Sequence, residues 1–314
     1  MEVRQFGSTD LRVSEFGLGC ARIGGVFQGD ANDFLTVLRA AHDAGINFFD
    51  TADMYTQGES ETLIGRAFHG RRHDVVIASK AGYRLPAQRR WAGRLKPLLR
   101  PLVRKLRLRR AALPAAVRGS LAQEFSPEYL RRAVEGSLRR LRTDYLDILQ
   151  LHSPPTEIVE QGAWQPALED LKRAGKIRYY GVAGEGLDPG LAALRRDGVS
   201  SLQFTLNLLE RRALDSLVPR ARERGIGLIA RECLANGILI KRPDQIDLTQ
   251  YSASPAEAEA RAAELARYRQ ELGSDPGELA KAAIKFVRDA GVSVTLLGVR
   301  SSAQLRDLLL KLPP

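Results

Sequence analysis

Four side chains that could carry out acid–base chemistry stand at the ends of three apolar segments. Asp50 closes the first segment and Tyr55 follows it on a loop, while Lys80 and His152 follow the second and the third. In a parallel barrel the carboxyl ends of the strands share one face, and catalytic groups collect there. A carboxylate, a phenol, an amine and an imidazole in one place can transfer a proton and stabilise charge. Their placement predicts an enzyme.

The elements that would position these groups alternate along the chain. Short apolar runs predict eight strands at residues 16–19, 46–50, 75–79, 145–151, 177–182, 201–205, 226–231 and 292–297. Helical periodicity and start signals predict helices at residues 31–44, 59–68, 126–141, 163–174, 188 onward, 214–224, 255–272 and 275–290. Strands and helices in this alternation favour an α/β fold, the (β/α)8 TIM barrel.

Three further features complete the predicted organisation. A turn-rich tetrapeptide at residues 7–10 predicts an N-terminal β-hairpin. An insertion at residues 84–118 follows the third strand, and an irregular loop with an extra helix spans residues 233–272. A chain of 314 residues with 44% hydrophobic content fits one barrel or two ordinary domains. We expect residues 1–314 to form a single barrel domain.

A doubly wound parallel sheet is the competing fold. It usually carries Gly-x-Gly-x-x-Gly between its first strand and first helix, where a dinucleotide binds. The nearest candidates are Gly17-Leu18-Gly19 with Arg22 in third place, and the stretch 181–186. Neither has the required spacing, so the barrel is preferred.

Composition favours a cytoplasmic protein. No apolar run approaches the roughly 20 residues that a membrane span needs, and the N-terminus lacks the basic and then apolar pattern of a signal peptide. Two cysteines, Cys20 and Cys233, are too few for a disulfide framework. A reduced compartment is therefore expected.

The basic charge is concentrated in one segment. The chain has 48 Lys and Arg against 37 Asp and Glu, but residues 84–118 hold twelve of the cations and no acid, which leaves the remainder nearly neutral. Leucines recur at helical spacing among these arginines. The segment could be a lid over the pocket, an anchor on an anionic surface such as lipid or nucleic acid, or a partner-binding surface. The lid is favoured because the segment leaves from the predicted catalytic face, and nucleic acid is not expected as a partner.

The candidate residues carry a resemblance to a known family. The segments 47–52 and 151–154, together with Tyr55 and Lys80, resemble the catalytic signatures of the aldo-keto reductase superfamily. The likeness extends from the N-terminal hairpin to residues 298–304. It implies a TIM barrel that reduces an aldehyde or ketone, such as a sugar-type or anionic one, with NADPH, or that runs the reverse oxidation.

The resemblance implies a role for each of the four groups. Tyr55 would give a proton to the carbonyl oxygen, and Lys80 would lower the pKa of the phenol, which is about 10 when unperturbed. Asp50 would hold Lys80 charged and in place. His152 would hydrogen-bond the carbonyl oxygen and help to bear its developing charge.

The resemblance also implies a set of cofactor contacts. Loops after the seventh and eighth strands would hold the phosphates, and the Arg300 fork suits the 2′-phosphate that distinguishes NADPH from NADH. NADH remains possible. The implied cofactor-binding residues are Cys20, Asp50, Ala183, Gly184, Gln203, Leu206, Leu234, Gly237, Gly298, Arg300 and Gln304.

Four positions depart from the family pattern. Ala183-Gly184 stands where the family usually has Ser-Asn, so two side-chain hydrogen bonds to the nicotinamide amide are lost. Leu206 replaces an aromatic that would stack on the ring, and Leu308 replaces a frequent asparagine. Weaker or altered nicotinamide binding is expected.

Two other functions compete with carbonyl reduction. One is a low-turnover redox-sensing or regulatory subunit of the same fold, and the other is a phosphosugar isomerase that needs no nicotinamide. A metal site is not expected, because Gly70-Arg71-Arg72 lies between His69 and His73 and its cations repel a metal ion. The resemblance implies a small carbonyl or alcohol substrate as the partner.

Overall fold

The computed structural model describes residues 1–24, 31–84, 122–241, 245–252, 254–273 and 275–313. Apart from Arg84, the basic segment 84–118 lies outside these residues, and so do the three interpretations of its role. No helix in the described chain is long and apolar enough to cross a membrane.

Two antiparallel hairpins accompany the main sheet. Strands β1 (Val3–Gln5) and β2 (Arg12–Ser14) form the first, as the turn-rich tetrapeptide between them predicts. Strands β6 (Tyr83–Arg84) and β7 (Ala122–Gln123) form the second, on either side of the basic segment. The second hairpin was not predicted.

Eight parallel strands close into a barrel, and its last strand pairs with its first. In chain order they are β3 (Phe16–Gly19), β4 (Phe48–Asp50), β5 (Val76–Ala81), β8 (Leu146–His152), β9 (Ile177–Ala183), β10 (Val199–Thr205), β11 (Gly227–Arg231) and β12 (Val294–Gly298). The predicted (β/α)8 TIM barrel is confirmed.

Helices surround the barrel. They are α1 (Ala31–Asp43), α2 (Glu59–Ala67), α3 (Pro127–Leu141), α4 (Thr156–Gln161), α5 (Gln165–Arg173), α6 (Asp188–Ala193), α7 (Ala213–Glu223), α8 (Pro255–Leu272), α9 (Pro276–Asp289) and α10 (Ser302–Leu309). Short 3-10 turns occur at Tyr55–Gly58, Arg72–Asp74, Ala235–Ile240 and Leu248–Tyr251.

The helix starts follow the predicted signals where a side chain caps the backbone. Ser126 accepts from the main-chain N–H of Tyr129, and Asp275 accepts from those of Gly277 and Glu278. The predicted helix 163–174 is shorter in the structure, where it spans Gln165–Arg173, and α4 before it was not predicted. Gly162 has a φ of 71°, which ends α4 and favours glycine there.

The hydrophobic core closes one end of the barrel and leaves the other end to polar groups. Phe6, from the N-terminal hairpin, is fully buried and stacks at 6.1 Å between ring centroids on Phe48, which starts β4. A Cβ on Gly227, at the start of β11, would lie 2.2 Å from the Phe6 ring, so this ring requires glycine there. The hairpin therefore covers the amino-terminal end, and the carboxyl ends remain for a site.

Candidate active site

Strand register brings the predicted residues to one end of the barrel. Asp50 lies beside Gly19 of β3, and Lys80 lies beside Gln150 of β8. His152 ends β8 and pairs with Ala183 of β9. The carboxyl ends of β3, β4, β5, β8 and β9 thus stand level around one opening.

Lys80 is the centre of the polar cluster. Its ammonium is 1% exposed and donates to both carboxylate oxygens of Asp50 at 2.7 Å. It also donates to the carbonyl oxygen of Thr51 at 2.9 Å and lies 3.4 Å from the hydroxyl of Tyr55. Three acceptors therefore hold the ammonium against the phenol, as the sequence predicts for Asp50, Tyr55 and Lys80.

Burial and the neighbouring charges act in opposite directions on Lys80. Burial disfavours the ammonium, but Asp50 and Tyr55 outweigh it and raise the pKa of Lys80 above its ordinary value. Lys80 is therefore a permanent cation in the working pH range.

Opposing effects act on the pKa of Tyr55. Burial of the phenol raises its pKa and the Asp50 carboxylate adds to the rise, whereas the Lys80 ammonium lowers it, as expected. The net shift is upward, because a buried phenolate loses more hydration than one paired cation returns. The phenol stays protonated at neutral pH, and Lys80 reduces the cost of removing its proton.

His152 is held as a neutral imidazole beside the phenol. Its ring lies edge-on to Tyr55 at 5.5 Å and edge-on to Tyr83 at 4.9 Å between centroids. Burial, with the positive charges of Lys80 and Arg231, lowers the pKa of His152 well below its usual range. A neutral imidazole can donate one hydrogen bond to an oxygen in the opening.

The loop that carries Tyr55 has an unusual backbone. Thr56 and Gln57 have φ values of 48° and 64°, and Gly58 continues the left-handed turn at 85°. The Thr56 hydroxyl donates to the carbonyl oxygen of Ile23 at 3.1 Å, which ties this turn to the loop after β3. Left-handed backbone costs a non-glycine residue about 1–2 kcal/mol, so the fold holds Tyr55 in a turn that the isolated loop would avoid.

We refer to Asp50, Tyr55, Lys80 and His152 as the tetrad. The candidate cofactor residues nearest to it are mostly buried. The amide nitrogen of Gln203 donates to Asp50 Oδ1 at 2.7 Å, so Gln203 also supports the ion pair with Lys80. The main-chain N–H of Gly184 donates to the carbonyl oxygen of Gln203 at 3.0 Å, which places the Ala183-Gly184 pair beside that side chain.

Cys20 and Leu206 lie within the core. The main-chain N–H of Cys20 donates to the carbonyl oxygen of Asp50 at 2.8 Å, and its thiol is buried. Leu206 is 0% exposed and packs in the layer between barrel and helices, so its side chain has no free surface. The carbonyl oxygen of Cys20 accepts from the main-chain N–H of Ile23 and from the Ser60 hydroxyl, both at 3.0 Å, so its backbone groups are bonded within the fold.

The remaining candidates lie on two loops farther round the barrel. Leu234 and Gly237 belong to the loop after β11, where Gly237 has a φ of 92°. A Cβ at Gly237 or at Gly298 would meet no heavy atom within 4 Å, so both backbones are open. Arg300 is exposed before α10, and its main-chain N–H donates to the amide oxygen of Gln304 at 2.9 Å.

Arg231 is a site residue that sequence reasoning missed. It ends β11, donates to the carbonyl oxygen of Gly184 at 3.1 Å and pairs with Glu232 at 2.7 Å. Its charge lowers the pKa of both Tyr55 and His152. Its position at a predicted strand end was the signal that could have identified it.

A cleft of about 320 Å3 opens beside Arg231. Charged and amide side chains from the ends of β9, β10 and β11, from the turn Ala235–Ile240 and from α8 share this space. Those side chains are Glu185, Asn207, Glu210, Arg212, Arg231, Glu232, Asn236 and Arg261. Donors and acceptors are thus present together, as an extended polar ligand such as a dinucleotide requires.

No group of three or more His, Cys, Asp or Glu that could hold a metal ion occurs among the residues described. The chemistry available at this opening is a protonated phenol against a fixed ammonium, with a neutral imidazole beside it. Such a site can give a proton to an oxygen and stabilise the charge that appears on it.

Comparison with known proteins agrees with this geometry. The family model described as Aldo/keto reductase family matches residues 15–312. The holo structure of aldo-keto reductase AKR11C1 from Bacillus halodurans superposes with a TM-score of 0.77 at 28% identity, covering 99% of this chain and 90% of that one.

Two relatives of named activity are also similar. The NADH-specific methylglyoxal reductase of Escherichia coli is 32% identical over 74% of this chain and 67% of its own length. The L-galactose dehydrogenase of Arabidopsis thaliana is 28% identical over 98% of this chain and 86% of its own length. Since the family model spans almost the whole sequence, the chain belongs to the aldo/keto reductase family of NAD(P)H-dependent oxidoreductases.

Proposed function

We propose that the protein reduces a small polar aldehyde or ketone, of sugar type or carrying an anionic group, with NADPH, or catalyses the reverse oxidation. The observation that carries the proposal is the position of the Lys80 ammonium, bonded to Asp50 and 3.4 Å from the Tyr55 hydroxyl. The names of the two relatives, a methylglyoxal reductase and an L-galactose dehydrogenase, support this substrate class.

Each residue of the tetrad has a defined task in this proposal. A bound nicotinamide would supply a hydride to the carbonyl carbon. Tyr55 gives its proton to the carbonyl oxygen, and the phenolate left behind is stabilised by Lys80. His152, neutral at working pH, donates to the same oxygen and fixes its direction. Asp50 keeps Lys80 charged throughout, so the proton comes from the phenol alone.

The donor set around the opening fits a nicotinamide dinucleotide. Near the tetrad, Arg231 and the Gly184 carbonyl are a donor and an acceptor that now bond to each other, and a bound carboxamide would share or replace that bond. Farther round the barrel, the open backbones of Gly237 and Gly298 permit close approach of phosphates. Arg300 and Gln304 would receive the 2′-phosphate of NADPH.

The direct test is Tyr55→Phe. We expect kcat for the best carbonyl substrate to fall by about 10²- to 10⁴-fold, the usual contribution of a positioned proton donor. The dissociation constant for NADPH, measured by quenching of protein fluorescence, should stay within a factor of about two, since the phenol hydroxyl acts in the transition state.

Tyr145→Phe is the matched control. Tyr145 stands just before β8, at the opposite end of that strand from His152, and should keep wild-type turnover. If the wild-type protein binds NADPH but turns over no carbonyl in a broad panel, the redox-sensing alternative replaces the enzyme proposed here. If it binds neither NADPH nor NADH, the nicotinamide chemistry itself is wrong.

A further inference from the structure

One hydroxyl near the active site faces two acceptors. The hydroxyl of Tyr129, on α3, lies 3.2 Å from Oδ2 of Asp53 and 3.0 Å from the carbonyl oxygen of Tyr83. Burial, with Asp53 close by, raises the pKa of Tyr129, so the group remains a phenol. A phenol carries one proton and can donate it to one acceptor at a time. The protonation state of Asp53 therefore decides which acceptor receives it.

Asp53 occupies an environment in which both protonation states are accessible. It is 9% exposed, and its Oδ1 has no hydrogen-bond partner in the described chain. The charged groups around it are Glu61 of α2 and Arg140 of α3, with Glu124 beyond Tyr129. Burial and then Glu61 raise the pKa of Asp53 to about 7, against the opposing effect of Arg140.

The two residues whose oxygens lie near the Tyr129 hydroxyl, Asp53 and Tyr83, are each close to a catalytic group. Asp53 precedes Tyr55 by two residues, and its main-chain N–H donates to the carbonyl oxygen of Lys80 at 3.0 Å. The Tyr83 ring lies edge-on to His152 at 4.9 Å. A change in the hydrogen bond to the Tyr83 carbonyl therefore acts on the residue that packs against the imidazole.

We propose that Asp53 and Tyr129 form a proton-dependent positioning device that sets how Tyr83 packs against His152. With Asp53 protonated, its carboxyl donates to the Tyr129 oxygen and Tyr129 donates to the Tyr83 carbonyl. With Asp53 ionised, Tyr129 donates to the carboxylate and the Tyr83 carbonyl loses its donor. The inference rests on the proposed carbonyl reduction, because His152 and Tyr83 then border the substrate.

The sign of the pH effect follows directly. As pH rises through about 7, Asp53 ionises and the Tyr83 carbonyl loses its hydrogen bond from Tyr129. Tyr83, which borders the substrate, is then held less firmly against His152. One hydrogen bond contributes about 0.5–1.5 kcal/mol, so KM should rise roughly twofold to tenfold between pH 6 and 8. In Asp53→Asn the amide donates to Tyr129 at every pH, so KM should stay at the low value.

The primary test does not need turnover. We would record the ring signals of His152 by NMR on histidine-labelled protein from pH 5.5 to 8.5, assigned by their loss in His152→Gln. The pKa of His152 is lowered well below its usual range by burial, so a step in its signals near pH 7 that depends on Asp53 reports its surroundings. The step should appear in the wild type and vanish in both Asp53→Asn and Tyr129→Phe.

Tyr180→Phe is the matched control for Tyr129→Phe. Its hydroxyl also donates to a carboxylate, Glu169, at 2.5 Å, and it lies on β9 away from His152. This variant should keep the step. The proposal is overturned if the wild-type protein shows no step, or if the step is still present in Asp53→Asn. A step without any turnover would instead support the device and count against the proposed reaction.

Discussion

At the scale of single residues, burial gives ordinary side chains their reactivity. The order and types of Asp50, Tyr55, Lys80 and His152 can be read from the sequence, and so can the attraction between ammonium and phenolate. The net pKa direction of Tyr55 cannot, because it depends on how much hydration the fold removes. A phenol of raised pKa beside a permanent cation keeps its proton at neutral pH, as the proposed reduction requires of a proton donor.

Arg300 is the residue whose charge should decide between the two nicotinamide cofactors. A hydrogen bond to a charged group contributes about 1.5–3 kcal/mol, so Arg300→Ala should weaken NADPH binding roughly 10- to 150-fold. Binding of NADH, which has no 2′-phosphate, should change little. Fluorescence titration with each cofactor measures both constants.

Arg306→Ala is the control for this substitution. Arg306 is also exposed and lies on α10, six residues from Arg300, so its removal lowers the overall charge equally. If Arg300→Ala and Arg306→Ala weaken the binding of NADPH and NADH alike, the cause is the loss of positive charge from the protein and not a contact of Arg300. The proposed use of NADPH would then have no residue to explain it.

At the scale of elements, the register of the parallel strands brings their carboxyl ends together to form a site. Apolar runs followed by Asp50, Lys80 and His152 predict where strands stop, which is why the sequence could predict that these side chains lie at one end of the barrel. The left-handed turn at Thr56 and Gln57 could not, because neither residue type demands that conformation. Arg231 was missed because a long positive side chain at a strand end is usually solvated, whereas here it bonds to Gly184.

Helices α2 and α3 approach each other so closely at Gly65 that there is no room for a side chain at that position. A Cβ at Gly65 of α2 would lie 2.4 Å from the carbonyl oxygen of Leu141, which is backbone at the end of α3. Beside it, the buried Glu61 accepts from Arg140 at 2.6 Å and from Ser79 at 2.6 Å. Gly65→Ala should therefore lower the free energy of unfolding by about 1–3 kcal/mol, the usual cost of overpacking.

Gly136→Ala provides the comparison, with urea unfolding as the measurement. Gly136 lies inside α3, where an added methyl meets only the flexible end of Arg140, at 3.0 Å. Alanine is favoured over glycine in a helix by about 1 kcal/mol, so this variant should be neutral or more stable. Equal destabilisation of the two variants would show that the loss does not come from the close approach of Gly65 to Leu141.

At the scale of the whole molecule, the barrel separates stability from chemistry. The amino-terminal end is closed by the hairpin of β1 and β2, with Phe6 buried against Phe48 and Gly227. The carboxyl end holds Asp50, Lys80 and the loops that would receive a cofactor. Composition predicted a core large enough for a barrel, but it could not predict that a hairpin residue fills the bottom of that barrel.

This separation can be tested at Phe6. Phe6→Ala should lower the free energy of unfolding by about 3–5 kcal/mol, because a fully buried aromatic leaves a cavity between strands. Under conditions where the variant is folded, kcat should remain near the wild-type value, since Lys80 and Tyr55 lie at the other end of the barrel. Val3→Ala, on the same hairpin but 45% exposed, should change neither quantity by much. Urea unfolding and steady-state rates on the same preparations measure both effects. A fall in kcat matching the loss of stability would mean that packing at the amino-terminal end of the barrel affects the site at its carboxyl end.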